Sequence, residues 1–210
     1  MAQDHYFSAN PEAAHRSQCF REQVGGESFE FMTDSGTFSR SGLDRGSRCL
    51  IETARCLPDF PERGKILDLG CGWGPVAVIL ARFYPEASWC LLDVNERAVS
   101  LAEKNFCRNH PHLNARFLVS DGLKACDTRF DLILQNPPIR AGKEVIYRLF
   151  QEARTALLPG GRYLMVMRKQ QGAESAMREL QKIYGNTVVT LSRSGGYHVL
   201  MASAPALEEG

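Results

Sequence analysis

The chain has 210 residues, 44% of them hydrophobic and 23% charged, with a formal net charge of +1. That length and balance fit one globular domain with a full core and exclude a disordered or fibrous polymer. No apolar run reaches the roughly 20 residues needed to cross a bilayer, and Met1 to His5 shows no basic start followed by an apolar stretch, so a cytoplasmic protein without a membrane partner is expected.

Residues 1–60 read as an N-terminal extension. Within it Ser28 to Thr33 alternates like a strand, Asp34-Ser35-Gly36 is a turn, and Asp44 is placed to cap a helix over about residues 45–57. This segment is too poor in apolar residues for a core of its own, so it is expected to cover the rest of the chain. From Lys65 onward, short apolar runs alternate with helical stripes, the mark of a parallel α/β sheet. Strands are expected over 66–69, 89–92, 115–119, 130–134 and 163–167. Between them fall a helix from Val76 to Phe83, a second with Ala98, Leu101, Ala102 and Phe106 on one face, and a third with Ile146, Leu149, Phe150, Ala153 and Leu157. Pro159-Gly160-Gly161 should stop that third helix. A last helix carries Ala173, Ala176, Met177, Leu180 and Tyr184, and further strands near 187–191 and 197–202 complete a sheet with helices on both faces. The main domain is expected to span 61–204, with 205–210 a frayed tail.

The seven cysteines, Cys19, Cys49, Cys56, Cys71, Cys90, Cys107 and Cys126, are odd in number, scattered, and form no Cys-x-x-Cys pair. This argues against a disulfide framework and a zinc site, and most should be buried thiols in a reducing compartment. His110 and His112 flank Pro111 in an expected loop without a third ligand in register, so no metal is expected. The near-zero net charge gives no global nucleic-acid signature. Basic residues bunch locally, as Arg40, Arg45 and Arg48, as Arg140 and Lys143, and as Arg168 and Lys169, and each group reads equally as a solvated face.

Between the first main strand and its helix stands Asp68-Leu69-Gly70-Cys71-Gly72-Trp73-Gly74. Glycines in such a turn let a ligand approach the backbone, although the same feature serves dinucleotide sites or plain strand–helix packing. Asp93 ends the next strand, about 20 residues on, where a carboxylate can accept both hydroxyls of a ribose. Asp121, before Gly122, ends the third strand, where it can accept from an adenine amino group. Ligands of open α/β sheets bind outside the carboxyl ends of strands, and all three acids lie there. A carboxylate at Asp68 would repel a pyrophosphate but suits the ammonium of a bound amino acid.

The fourth strand ends at Asn136-Pro137-Pro138-Ile139. Two prolines make a stiff turn on structural grounds alone. Chemically, an exocyclic amine or amide nitrogen is a poor nucleophile because its lone pair is delocalised. The Asn136 side-chain oxygen and the Pro137 carbonyl can each accept one of its hydrogens, making the nitrogen more tetrahedral and aiming its lone pair. Such orientation can supply as much as roughly 7–11 kcal/mol of a barrier.

The glycine loop with its acids resembles the signature of class I S-adenosylmethionine-dependent methyltransferases, a Rossmann-like fold with a seven-stranded, mostly parallel sheet. That resemblance implies S-adenosylmethionine as cofactor, with Asp68 near its methionine end, Gly70, Cys71 and Gly72 beneath it, Asp93 on the ribose, and Asp121 and Gly122 at the adenine. Asn136 would border both cofactor and substrate. The Asn-Pro-Pro-Ile stretch is similar to the Asn/Asp-Pro-Pro-aromatic motif of adenine-N6, guanine-N2 and glutamine-N5 methyltransferases. An aromatic there can stack on a base, and Ile139 offers less, so Phe38 or Phe7 are candidates to stack instead.

The run from Asn136 to Lys143, together with His5-Tyr6-Phe7-Ser8, Thr37-Phe38-Ser39-Arg40, Leu43-Asp44-Arg45-Gly46-Ser47 and Gly195-Gly196-Tyr197, resembles the small-subunit ribosomal RNA guanine-N2 methyltransferase family. The likeness covers about residues 5–203. It implies ribosomal RNA, or the small ribosomal subunit, as partner, with Phe38, Arg40, Pro138, Ile139, Arg140 and Lys143 as substrate contacts. Longer members carry two tandem methyltransferase-like domains where this chain has one. A protein glutamine-N5 methyltransferase and a non-catalytic cofactor- or RNA-binding module stand as alternatives.

Overall fold

Ile66, Leu67 and Leu69 are almost wholly buried because β3 (Lys65–Leu69) lies in the middle of a sheet covered on both faces. The computed structural model describes residues 18–33 and 42–206, so Phe7, Phe38, Arg40 and the turn expected at 34–36 lie outside the described residues. Among the described residues two strands precede β3, β1 (Gln18–Val24) and β2 (Glu27–Thr33), paired antiparallel as a separate hairpin. Parallel to β3 run β4 (Ser88–Asp93) on one side and β6 (Phe130–Gln135) on the other. Outward from these come β5 (Ala115–Val119) and β7 (Leu157–Arg168), also parallel to their neighbours. β9 (Tyr197–Ser203) pairs antiparallel between β7 and β8 (Val189–Ser194), giving the order β5-β4-β3-β6-β7-β9-β8. The chain reverses its direction of travel across the sheet at β3 and β6. A crevice therefore opens at the carboxyl ends of these strands.

Two apolar layers flank the sheet. One collects α1 (Arg45–Arg55), α2 (Pro75–Phe83) and α3 (Glu96–Asn109), whose Leu50, Ile51, Val76, Leu80, Leu101 and Phe106 meet Ile66, Leu91 and Leu134. The other collects α4 (Lys143–Ala156) and α5 (Ala173–Tyr184), whose Ile146, Phe150, Ala176 and Leu180 meet Leu67, Leu69 and Ile133.

Among the described residues the N-terminal hairpin has no further sheet partner, and side-chain amides of α3 take that role. Asn105 accepts from the Met32 amide (2.8 Å) and donates to the Met32 carbonyl (2.9 Å), while Asn109 does the same for Glu30 at 3.1 and 2.8 Å. On a helix these two positions are neighbours, one turn apart, and on a strand residues 30 and 32 face the same way, so the two ladders match. Asn105 also donates to the Trp73 carbonyl at 2.8 Å. The buried Trp73 ring packs edge-on against Phe31 (4.8 Å) and Phe20 (5.5 Å), tying the hairpin to the glycine loop.

Several local expectations need correction. α1 stops at Arg55, not Leu57, because the Cys56 and Leu57 amides turn back to Thr53 and Ala54 and Pro58 follows. β7 begins at Leu157 rather than 163. Leu157 pairs with Phe130, and Pro159-Gly160-Gly161 forms a bulge within the strand instead of a boundary. A Cβ at Gly161 would come within 2.9 Å of the Leu158 and Phe130 carbonyls, so only glycine fits there. The next-to-last strand starts at Val189 because Gly185–Thr187 forms a 3-10 turn. Only Cys49, Cys71 and Cys90 are buried, whereas Cys19, Cys56 and Cys107 are exposed and Cys126 lies between, so most of the thiols are not core groups. His110 ends α3, buried, with its Nε2 2.7 Å from the Val78 carbonyl. The Pro205 carbonyl accepts from the Gly160 amide at 3.0 Å, so the chain is tied down to that point.

Candidate active site

The carboxyl ends of β3, β4, β5 and β6 border one cavity of about 570 Å³, a volume suited to a nucleoside-sized ligand. Its floor is the turn after β3. Gly70 has a left-handed φ of 72°, and a Cβ placed on it would meet nothing within 4 Å. Gly72, also left-handed, donates its amide to Asp93 at 2.9 Å.

Asp68 and Asp93 give the cavity its electrostatics. Asp68 is 2% exposed and accepts from the Ala77 amide in the first turn of α2 at 3.1 Å. Burial pushes its carboxyl up to about 7, the Ala77 amide opposes the shift, and the charge of Asp93 reinforces it. Asp93 accepts from Gly72 on one oxygen and from the Asn95 amide (3.0 Å) on the other, and its carboxyl too is raised by burial. Neither carboxylate makes an ion pair among the described residues. Two buried acids without a cation favour a positively charged ligand, such as an ammonium or a sulfonium. Burial also holds the Cys71 thiol well above its ordinary range, so it stays neutral in the cavity wall.

Asp121 is in a different state. It is half exposed and bonded to Lys124 (2.6 Å) and Arg148 (2.5 Å), which hold its carboxyl below the ordinary range. Arg148 also pairs with Glu152 at 2.7 Å, and Glu152 accepts from the Leu123 amide at 2.8 Å. Gly122, at φ 66°, lets that carboxylate approach, since a Cβ there would collide with Glu152 Oε2 at 2.0 Å. The left-handed backbone favours glycine at this position, whatever the cavity holds.

Asn136 follows β6, and α1 holds it. Asp44 caps α1 by accepting from the Gly46 (2.9 Å) and Ser47 (3.1 Å) amides, and the same oxygen accepts from Asn136 Nδ2 at 3.3 Å. Ser47 Oγ accepts from Nδ2 at 3.1 Å. An ionised carboxylate only accepts, so this pairing fixes the amide with nitrogen toward α1. The oxygen is then the end available to a ligand, beside the rigid Pro137.

Of the residues singled out in the sequence, Asp68, Gly70, Cys71, Gly72, Asp93, Asp121 and Gly122 line this cavity together with Asn136, Pro137, Pro138, Ile139 and Arg140. Lys143 does not: it opens α4 off the cavity wall. Arg48, grouped by sequence with Arg45, is engaged by Glu22 at 2.8 Å. The cavity also uses Ser47, Trp73, Gln135, Arg148 and Tyr197, which sequence reasoning missed. Gln135 had a signal, a polar residue closing the apolar run Leu132-Ile133-Leu134. It is fully buried, and its Oε1 accepts from the Tyr163 hydroxyl.

No helix among the described residues is long and apolar enough to cross a membrane, and none of their His, Cys, Asp and Glu side chains cluster as a metal site. The family profile of the methyltransferase small domain matches residues 28–201. The uncharacterized protein YbxB of Bacillus subtilis is 36% identical over 202 residues, covering 95% of this chain and 98% of that protein. Ribosomal RNA large subunit methyltransferase G of Pseudomonas putida is 32% identical over 167 residues, 77% of this chain and 43% of the relative. Among solved structures, a 16S rRNA N2 methyltransferase of Thermus thermophilus in complex with AdoMet and guanosine superposes with a TM-score of 0.80 at 27% identity. That match covers 93% of this chain and 52% of the other, so the chain spans about half the length of its ribosomal RNA methyltransferase relatives or less. The match across most of its length places the chain in the methyltransferase small domain family, as an S-adenosylmethionine-dependent methyltransferase.

Proposed function

We propose that the protein methylates N2 of a guanine in small-subunit ribosomal RNA, in the cytoplasm. The observation that carries this reading is the Asn136 amide, fixed by Asp44 and Ser47 with its oxygen left to accept, next to Pro137 and beside a cavity with two buried acids. The N2 specificity and the RNA are supported by likeness to the Thermus enzyme and by the Asn-Pro-Pro-Ile motif.

Asp68 would face the amino-acid end of the cofactor, Gly70, Cys71 and Gly72 would lie beneath it, and Asp93 would take the ribose hydroxyls. Asp121 and Gly122 would border the adenine, with Arg148 holding the Asp121 carboxylate in place. When bound, S-adenosylmethionine supplies a methyl group activated by a sulfonium. The remaining work falls to the chain's own residues. Asn136 Oδ1 and the Pro137 carbonyl each accept one hydrogen of the exocyclic amine, turning its lone pair inward. No strong base is required, because the amine acidifies only as it becomes cationic and its proton can then pass to water. Ile139 gives little area for stacking, and Tyr197, half-buried on the cavity wall, would supply the ring. A second reading, a guanine of the large subunit, is favoured by the relative named for that subunit.

The test is transfer of label from radiolabelled S-adenosylmethionine to small subunits, large subunits, protein-free ribosomal RNA and release factors from cells lacking the gene. N2-methylguanosine in small-subunit RNA is the expected product. Label confined to large-subunit RNA selects the second reading, and label on a glutamine amide overturns both. Asn136→Ala should abolish transfer while cofactor affinity stays within a few fold of the wild type.

A further inference from the structure

On the α5 face of the sheet lies a second, more open groove of about 440 Å³. Lys169 stands just after β7, Arg178 on α5, Arg193 on β8 and His198 on β9, and all four line it, with Glu174 as the one acid. Backbone pairing fixes three of these positions: Arg193 is paired with His198 across β8 and β9, and the Lys169 amide donates to the Gly196 carbonyl at 2.8 Å. The groove and the active-site cavity draw on neighbouring stretches of the chain. Gln171 and Tyr197, close in the chain to Lys169 and His198, belong to the cavity wall. Arg168 lies beside that junction, its guanidinium 6.0 Å from the Tyr197 ring centre.

The charges here are not consumed by the fold. Arg48, Arg82, Arg108 and Arg148 each hold a carboxylate, whereas Lys169, Arg178 and Arg193 make no ion pair among the described residues. Arg178 makes only a long bond, 3.4 Å, to the Ser175 hydroxyl. The first turn of α5 opens onto the same groove without a side-chain cap, so its free amides add to the positive potential. In a chain whose net charge is +1, three permanent cations against one acid make this a local anion surface.

We propose that this groove binds the phosphodiester backbone of the RNA acceptor, on the strand flanking the base that enters the cavity past Tyr197. The proposal rests on RNA being the methyl acceptor. It gives one domain a recognition surface on the same strand and turn that supply Tyr197 and Gln171 to the cavity. Three cations neutralising about three phosphates correspond to a log–log salt slope of about −2 on a single strand.

The experiment is filter binding of protein-free small-subunit ribosomal RNA across a potassium chloride series. It compares the wild type, the triple variant K169Q/R178Q/R193Q, and a control triple, K104Q/R116Q/R129Q, of exposed cations away from the groove. Cofactor affinity of each, by calorimetry, reports an intact fold. The groove variant is expected to bind RNA at least ten-fold more weakly at low salt and to lose about 2 from the magnitude of the slope, while the control stays near wild type. Wild-type RNA binding that the groove variant reproduces, slope included, overturns the groove and leaves the RNA reading standing. Absence of salt-sensitive RNA binding by the wild type overturns both.

Discussion

Freeing the Asn136 amide is the sharpest test of how the fold serves the chemistry. Two acceptors hold its nitrogen, Ser47 Oγ at 3.1 Å and Asp44 Oδ1 at 3.3 Å. Without them the amide can rotate by half a turn and present donors to an amine that needs acceptors. Ser47→Ala removes a neutral hydrogen bond, about 1 kcal/mol, or about a five-fold loss of rate. Asp44→Ser keeps a good helix cap and deletes the carboxylate. A hydrogen bond to a charged group contributes about 1.5–3 kcal/mol, and the long distance puts this one at the lower end, or about ten-fold in rate. The assay is single-turnover methyl transfer at saturating acceptor, beside cofactor calorimetry and thermal melting, which should hardly change. The Asn136 side-chain resonances, identified by their loss in Asn136→Ala, should shift and exchange faster in both variants. A double variant with wild-type turnover and unshifted resonances would refute the reasoning.

Cofactor affinity should rise with pH, by about ten-fold from pH 6 to 8, because a cationic ligand favours the ionised form of Asp68, whose carboxyl is pushed up to about 7 in the free protein. Asp68→Asn should flatten that difference; equal slopes in calorimetry would discard the assignment. The stability sign is opposite: the folded pKa lies above the unfolded value of about 4, so the contribution of Asp68 is complete below pH ~4 and lost as pH rises through about 7. Asn105→Ala loses three hydrogen bonds, one buried and two part-buried, and should destabilise by about 3 kcal/mol in urea unfolding; a change below about 1 kcal/mol would mean the hairpin is held otherwise. Gly122→Ala meets both a left-handed φ and the Glu152 carboxylate, and should cost about 1–3 kcal/mol, with unaltered stability the contrary result.

The middle of the sheet was legible because β3, β4 and β6 are buried on both faces and so appear as short, mostly apolar runs. β1 was not. From Cys19 to Val24 only Phe20 and Val24 join the apolar core, and the Trp73 ring that Phe20 meets lies far along the chain. Pro159-Gly160-Gly161 misled for a local reason, since a bulge and a terminator use the same residues. In the cavity, Asp68, Asp93 and Asn136 stood out because each lies at or beside the carboxyl end of a strand. Asp44 was legible only as a cap; its bond to Asn136, 92 residues on, is a tertiary event that no local pattern encodes. The same holds for Arg148, whose value lies in meeting Asp121 from another helix.

The side-chain amides of Asn105 and Asn109 have a consequence for assembly. A two-stranded hairpin outside the main sheet exposes an edge that another chain can join by strand addition. Along β2 the backbone donors and acceptors of Glu30 and Met32 are already taken by α3. An incoming strand finds no ladder to continue there, because a helix has ended it with two side chains. The hairpin can thus stay small and isolated without offering that edge as a template for aggregation.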